Sequence, residues 1–212
     1  MGPFLMNITS GEDHWMYLSS TGCLTAGRKK AEHALFPYVT DDLLHRNAHF
    51  TGPVTVIRIK EDDTNIVWRP FSHYEEPYET ERNLHKNSLG NIVLFEEINH
   101  SLGLTFIYEW RSSAKYGFIR KSRLVNHHSN VLNVELVDGL RNIMPDGVEL
   151  RAQQEMSNLA NAYKVSEYSP DSNCALFFMN ALVMDRPEPG ESLYSNLVWS
   201  YYDGKKIISV SE

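Results

Sequence analysis

The chain has 212 residues, of which 42% are hydrophobic and 22% charged, and it carries a formal net charge of −7 at pH 7. That is enough apolar material to bury a core, and the acidic balance argues against a partner that is nucleic acid or an anionic membrane surface, since both need a basic face. No apolar run approaches the about 18 residues of a spanning helix, and the N-terminus has no basic n-region or h-region of a signal peptide.

In chain order, short β-type runs separated by turn residues dominate. The first two are 4–8 and 14–19. A polar stretch follows, SSTGCLTAGRKKAEHALFPY (19–38), with two glycines, a basic cluster and an apolar Leu35-Phe36. PVTVIRIK (53–60) sets Val54, Val56 and Arg58 against Thr55, Ile57 and Ile59, the period of a strand with at least one buried face. After a turn at 62–65 comes a short strand over 66–70, then a polar, aromatic loop with a short helical piece over 71–89. Runs 90–98, 102–113, 116–126 and 130–141 read as four successive strands of an antiparallel meander. A single helix is expected after Asp146-Gly147, with Val148, Ala152, Met156, Leu159, Ala160 and Tyr163 on its apolar stripe and Glu149, Gln153, Gln154 and Asn158 opposite. Strands over 174–184 and 193–202 follow. With no internal repeat or linker, the pattern reads as one mainly β domain over 1–212, an antiparallel β-sandwich with one α-helix and long loops.

The chemistry-bearing residues exclude more than they select. Gly22-x4-Gly27-Arg28-Lys29-Lys30 lacks the lysine directly after the second glycine and the Ser or Thr of a phosphate loop. His127 and His128 are adjacent and point to opposite faces of a strand, and no HExxH or paired CxxC is present, so no metal or other cofactor is expected. There is no GxSxG elbow. Cys23 and Cys174 are read as free thiols. Glu75, Glu76, Glu79 and Glu81 form an acidic cluster beside Tyr74 and Tyr78, which reads as a solvated face. Trp15, Trp68, Trp110 and Trp199 fall on strand candidates. Trp68-Arg69 and Glu109-Trp110-Arg111 have the make-up of sugar-stacking sites, and core packing is the alternative for these rings.

Two segments resemble a known family. DHWMYLSSTGCLTAGRKKAEHALFPYVTDDLLHRNAHFTGPVTVIRI (13–59) and YGFIRKSRLVNHHSNVLNVELVDGLRNIMP (116–145) are similar to the N-terminal region of cellobiose phosphorylase-like bacterial proteins of glycoside hydrolase family 94. The resemblance implies a β-supersandwich similar to galactose mutarotase, an accessory domain that packs on a catalytic (α/α)6 barrel. One expected helix cannot supply that barrel, and the strand-like runs at both chain ends suggest a segment of a longer polypeptide. No catalytic residue is carried over. The resemblance also implies that the 19–51 excursion buries Leu35 and Phe36 and presents Arg28, His33, Tyr38, Asp41, Asp42, His45 and Arg46 to the barrel or to a carbohydrate at the interface. Two other functions compete. One is a stand-alone carbohydrate-binding module using Trp68, Arg69, Trp110 and Arg111. The other is a mutarotase-like epimerase, which needs His127 or His128 to share a pocket with Glu96, Glu109 or Glu135. The compartment is open, with the cytoplasm slightly favoured.

Overall fold

A computed structural model describes residues 3–39, 43–61, 64–181 and 194–207. Its elements in chain order are β1 (Leu5–Asn7), β2 (His14–Ser19), β3 (Leu24–Arg28), a 3-10 turn (Ala31–His33), β4 (Ala34–Phe36), α1 (Leu43–Arg46), β5 (Gly52–Glu61), β6 (Thr64–Trp68) and β7 (Thr80–Lys86). They continue with β8 (Ile92–Asn99), β9 (Leu104–Ser113), β10 (Gly117–Asn126), β11 (Asn133–Arg141), α2 (Leu150–Glu155), α3 (Ser157–Tyr163), β12 (Lys164–Ser169), β13 (Cys174–Met179), β14 (Asn196–Val198), β15 (Ser200–Tyr202) and β16 (Lys205–Ile207). The chain is therefore mainly antiparallel β, as its alternating apolar pattern predicts. It gathers into two compact units, Met1–Leu24 with Asp41–Arg141 and Thr25–Thr40 with Asn142–Glu212.

The first unit is a β-sandwich. One sheet runs β10-β9-β8-β7 and the other β11-β5-β6. The period-2 pattern of β8 buries Val93, Phe95, Glu97 and Asn99 and leaves Ile92, Leu94, Glu96 and Ile98 on the outer face. The register then sets Trp110 beside Val93, Tyr108 beside Phe95 and Phe106 beside Glu97, all facing inward. Phe95 and Tyr108 stack with centroids 4.8 Å apart. On the facing sheet Thr55, Ile57 and Ile59 point in, so the buried face of the PVTVIRIK strand is the one that carries threonine and isoleucine.

Two carboxylates bridge the sheets. Glu97, 1% exposed, accepts from Trp68 Nε1 (2.9 Å), from the Phe71 amide (2.7 Å) and from Arg82 Nε (2.7 Å). Asp138 accepts from Thr55 Oγ1 (2.6 Å), from both terminal nitrogens of Arg120 (2.7 and 2.9 Å) and from Ser122 Oγ (2.5 Å). Buried charges need such saturation to offset their lost hydration.

Two expectations are corrected here. The meander includes β8, β9 and β10, but its fourth strand is β7, in the stretch expected to be a loop. TERNLHK is a polar edge strand with little inward apolar signal, its inner face being Arg82 and Leu84 against Glu97 and Phe95. The run after β10 leaves that sheet, and β11 pairs with β5 from Asn133↔Lys60 to Arg141↔Gly52.

In the second unit β3 pairs with β4 across a bulge at Ala26/Gly27, and β13 pairs with β12 and β14. The expected single helix is two. Met156, at φ −130° and ψ 34°, ends α2 and precedes α3. Val148, Ala152 and Ala160 join Met144 and Met179 in a buried cluster, while Leu159 (41%) and Tyr163 (36%) of the expected stripe are exposed, because the break rotates the second half of the stripe. Gln153, expected on the solvated face, is half-buried. Its amide accepts from the Tyr38 N–H (2.9 Å) and donates to the carbonyls of Ala31 (2.8 Å) and Val148 (2.7 Å). The hairpin β15–β16 turns on Asp203-Gly204, both at positive φ (48° and 72°), the conformation of a two-residue type I′ turn.

Candidate functional site

The sequence-predicted residues distribute over both units. In the second unit Arg28 is exposed at the end of β3. His33 sets Nδ1 3.1 Å from Asp146 Oδ1, and Tyr38 is held through its amide by Gln153. Phe36 is fully buried, whereas Leu35, expected to be buried with it, is half-buried. Asp41 and Asp42 lie outside the described residues. In the first unit His45 Nδ1 is 2.7 Å from Ser19 Oγ, which lies 2.5 Å from Thr21 Oγ1, while Arg46 is exposed at the end of α1. Trp68 and Trp110 are 0% and 1% exposed. Neither offers a ring face to a sugar: both fall on the inward phase of their strands, where burying so large a ring stabilises most. Their neighbours Arg69 and Arg111 take the outward phase and pair with Glu76 and Glu109.

One cluster of exposed rings in the first unit lies elsewhere. Around His49 gather His73 (4.6 Å between centroids), Tyr74 (5.5 Å) and Phe50 (6.4 Å). Tyr74 is 74% and Phe50 70% exposed. The loops that carry these rings are tied to the sandwich by arginines. Arg141 Nη1 donates to the His49 carbonyl (2.6 Å) and Nη2 to those of Ala48 (3.2 Å) and Pro53 (3.3 Å). Arg82 Nη2 donates to the Ser72 carbonyl (2.8 Å), and Ser72 Oγ accepts from the Tyr74 amide (3.1 Å). The rings thus stand on backbone held by two arginines, of which Arg82 also belongs to the Glu97 network of the core. Burial, then the nearby His49, Arg82 and Arg141, lowers the His73 pKa, which keeps that imidazole neutral at pH 7. No tryptophan marks this platform in the sequence. The only signal was the mixed aromatic and acidic composition of FSHYEEPYE (71–79).

A second feature sits on the outer face of the four-stranded sheet. Its register aligns Asn83, Glu96, Ile107 and Arg123 across β7 to β10, and Ile98, Thr105 and Val125 in the adjoining row. Of these, Glu96, Ile98, Thr105, Ile107, Arg123 and Val125 line an open pocket of about 540 Å³ with His100, Gly103 and His127. Ile107 and Thr105 are 9% and 4% exposed although they face away from the core. Asn83 Nδ2 donates to Glu96 Oε2 (3.2 Å), and Thr105 Oγ1 is 2.8 Å from His127 Nε2. The wall at Gly103 (φ +55°) is tight: a Cβ there would meet His128 Nε2 at 2.6 Å, and that nitrogen lies 2.8 Å from the Leu102 carbonyl. Glu96 and His127 do share this pocket, but they are separated by two strands and four residues. Strand spacing and rise put their Cα atoms about 16 Å apart.

Among the described residues no group of three or more His, Cys, Asp or Glu is placed to hold a metal ion. Cys23 and Cys174 are both free and buried, and burial pushes the Cys23 thiol up to about 12. No family model matches the chain, and no curated protein matches it closely enough to count as a relative.

Proposed function

We propose that this chain is an accessory β domain of a carbohydrate-active enzyme, non-catalytic by itself, that packs on a helical catalytic barrel and contacts oligosaccharide through the ring platform of His49, Phe50, His73 and Tyr74. The observation that carries the reading is the exposed, pre-positioned ring cluster. Sugars lay their C–H faces on such rings, and anchored loops lower the ordering cost of binding. Arg69 and Glu76, ion-paired at 3.3 Å two residues from Tyr74, are of the type that bonds hydroxyls. The resemblance expected of 13–59 and 116–145 to family 94 N-terminal regions implies the same class of partner. A stand-alone carbohydrate-binding module would use the same platform, and the two readings differ in whether the affinity of this chain alone is sufficient for its role.

The test is titration calorimetry of the chain against cello-, xylo- and malto-oligosaccharides. Stacking of one sugar on one ring is worth on the order of 1 kcal/mol, so Tyr74→Ala and Phe50→Ala are each expected to weaken binding about fivefold with the melting temperature unchanged. Affinity indifferent to both substitutions removes the platform from the proposal.

A further inference from the structure

We infer that the outer face of the β7–β10 sheet holds a second sugar site, a pocket over Ile107 that takes a single neutral hexopyranose. The inference rests on the carbohydrate reading above but on different residues. Its floor is apolar, from Ile98, Ile107 and Val125, and matches the C–H face of a pyranose ring. Its polar groups come from opposite sides. Glu96 and Arg123 flank Ile107 on neighbouring strands, with Cα atoms about 10 Å apart by strand spacing. A pyranose can span that gap, donating a hydroxyl hydrogen to Glu96 and accepting from the Arg123 guanidinium. Thr105, in contact with His127, supplies a hydroxyl at the turn end of the pocket.

Three further observations favour a ligand over plain surface. The pocket volume, about 540 Å³, lies within the range of small-molecule sites. Glu96 is already oriented by Asn83, and the turn end is made rigid by the His128–Leu102 contact under Gly103, so the walls are set before anything binds. The charge balance also selects. One carboxylate opposes one guanidinium across the floor, so a neutral polyol satisfies both, whereas a uronate or sugar phosphate that gains at Arg123 is repelled at Glu96.

The experiment is a ¹H–¹⁵N NMR titration of the 212-residue chain with D-glucose, D-galactose, D-mannose and D-glucuronate, on wild type and on Arg123→Met, Glu96→Gln and Tyr74→Ala. One neutral hexose is expected to shift amides of 96–107 and 123–127. Arg123→Met and Glu96→Gln should each weaken it about tenfold, the scale of one hydrogen bond to a charged group, with native spectra elsewhere. Tyr74→Ala should leave it unchanged, and glucuronate should bind more weakly. Shifts confined to 47–51 and 71–76, or hexose affinity indifferent to both pocket variants, overturn the pocket and leave the platform standing. Tighter binding of glucuronate than of every hexose overturns the neutral-ligand assignment. Hexose binding that depends on Arg123 in a chain that ignores oligosaccharides removes the platform and keeps the pocket. Silence towards every sugar in both experiments removes both.

Discussion

Glu97 concentrates three interactions in one buried carboxylate, and removing it strands all of its donors. In Glu97→Ala the Trp68 indole N–H and the Phe71 amide lose their acceptor in a dry core, and Arg82 loses its ion-pair partner. Leaving such groups unpaired costs about 3 kcal/mol or more, so the variant is expected to unfold at markedly lower urea in a tryptophan-fluorescence melt. Glu97→Gln keeps one acceptor oxygen and should cost less. Asp138 makes a pH-dependent counterpart. Burial by itself would raise its pKa, but the hydrogen bonds from Arg120, the Arg120 charge, Ser122 and Thr55 outweigh it and hold the carboxyl below its usual range. An acid with a folded pKa below its unfolded one stabilises the fold only while ionised. That contribution is complete above the unfolded value of about 3.9 and is lost as pH falls through the folded value. Asp138→Asn should therefore be clearly less stable than wild type at pH 7, with the gap closing below about pH 4. Equal denaturation midpoints at pH 7 would contradict this.

At the scale of elements, the 31–38 segment shows how one side chain fixes a connection that the local sequence does not. It has a three-residue 3-10 turn and a three-residue strand, too little hydrogen bonding to hold itself. The Met144 and Gly147 amides donate to the Leu35 and Glu32 carbonyls, and Gln153 bonds both ends of the turn and strand. Gln153→Ala removes three hydrogen bonds at about 1 kcal/mol each, partly recovered by water at this half-buried site. Amide exchange over 31–38 should accelerate by at least about tenfold while exchange in β8 and β9 is unchanged. If the segment keeps its protection, the backbone bonds to 144–147 suffice.

At the scale of the whole molecule, two compact units with separate buried clusters hold one thiol each, Cys23 in the first and Cys174 in the second. The native Cys23 thiol is shielded and, with its pKa pushed up to about 12, unreactive near pH 8. The second unit has a small buried cluster of Met144, Val148, Ala152, Ala160 and Met179, whereas the first has a larger aromatic core. Pulsed alkylation with mass-spectrometric readout across a urea series is expected to label Cys174 at lower urea than Cys23. Coincident labelling would mean one cooperative unit.

Most of the strands were readable from the residues alone, because period-2 alternation directly reports which side chains leave water. β2, β5, β8, β9 and β10 fall within two residues of the predicted runs. Which strands pair became visible in the fold. Strand pairing depends on contacts far apart in sequence, so nothing local in 130–141 told that β11 joins β5, or that polar TERNLHK forms an edge strand. The same holds for the site. Trp68 and Trp110 carry the composition of a sugar platform, but the phase of their strands turns them inward, whereas Tyr74 and Phe50 stand exposed because Arg82 and Arg141, brought from β7 and β11, hold their loops in place.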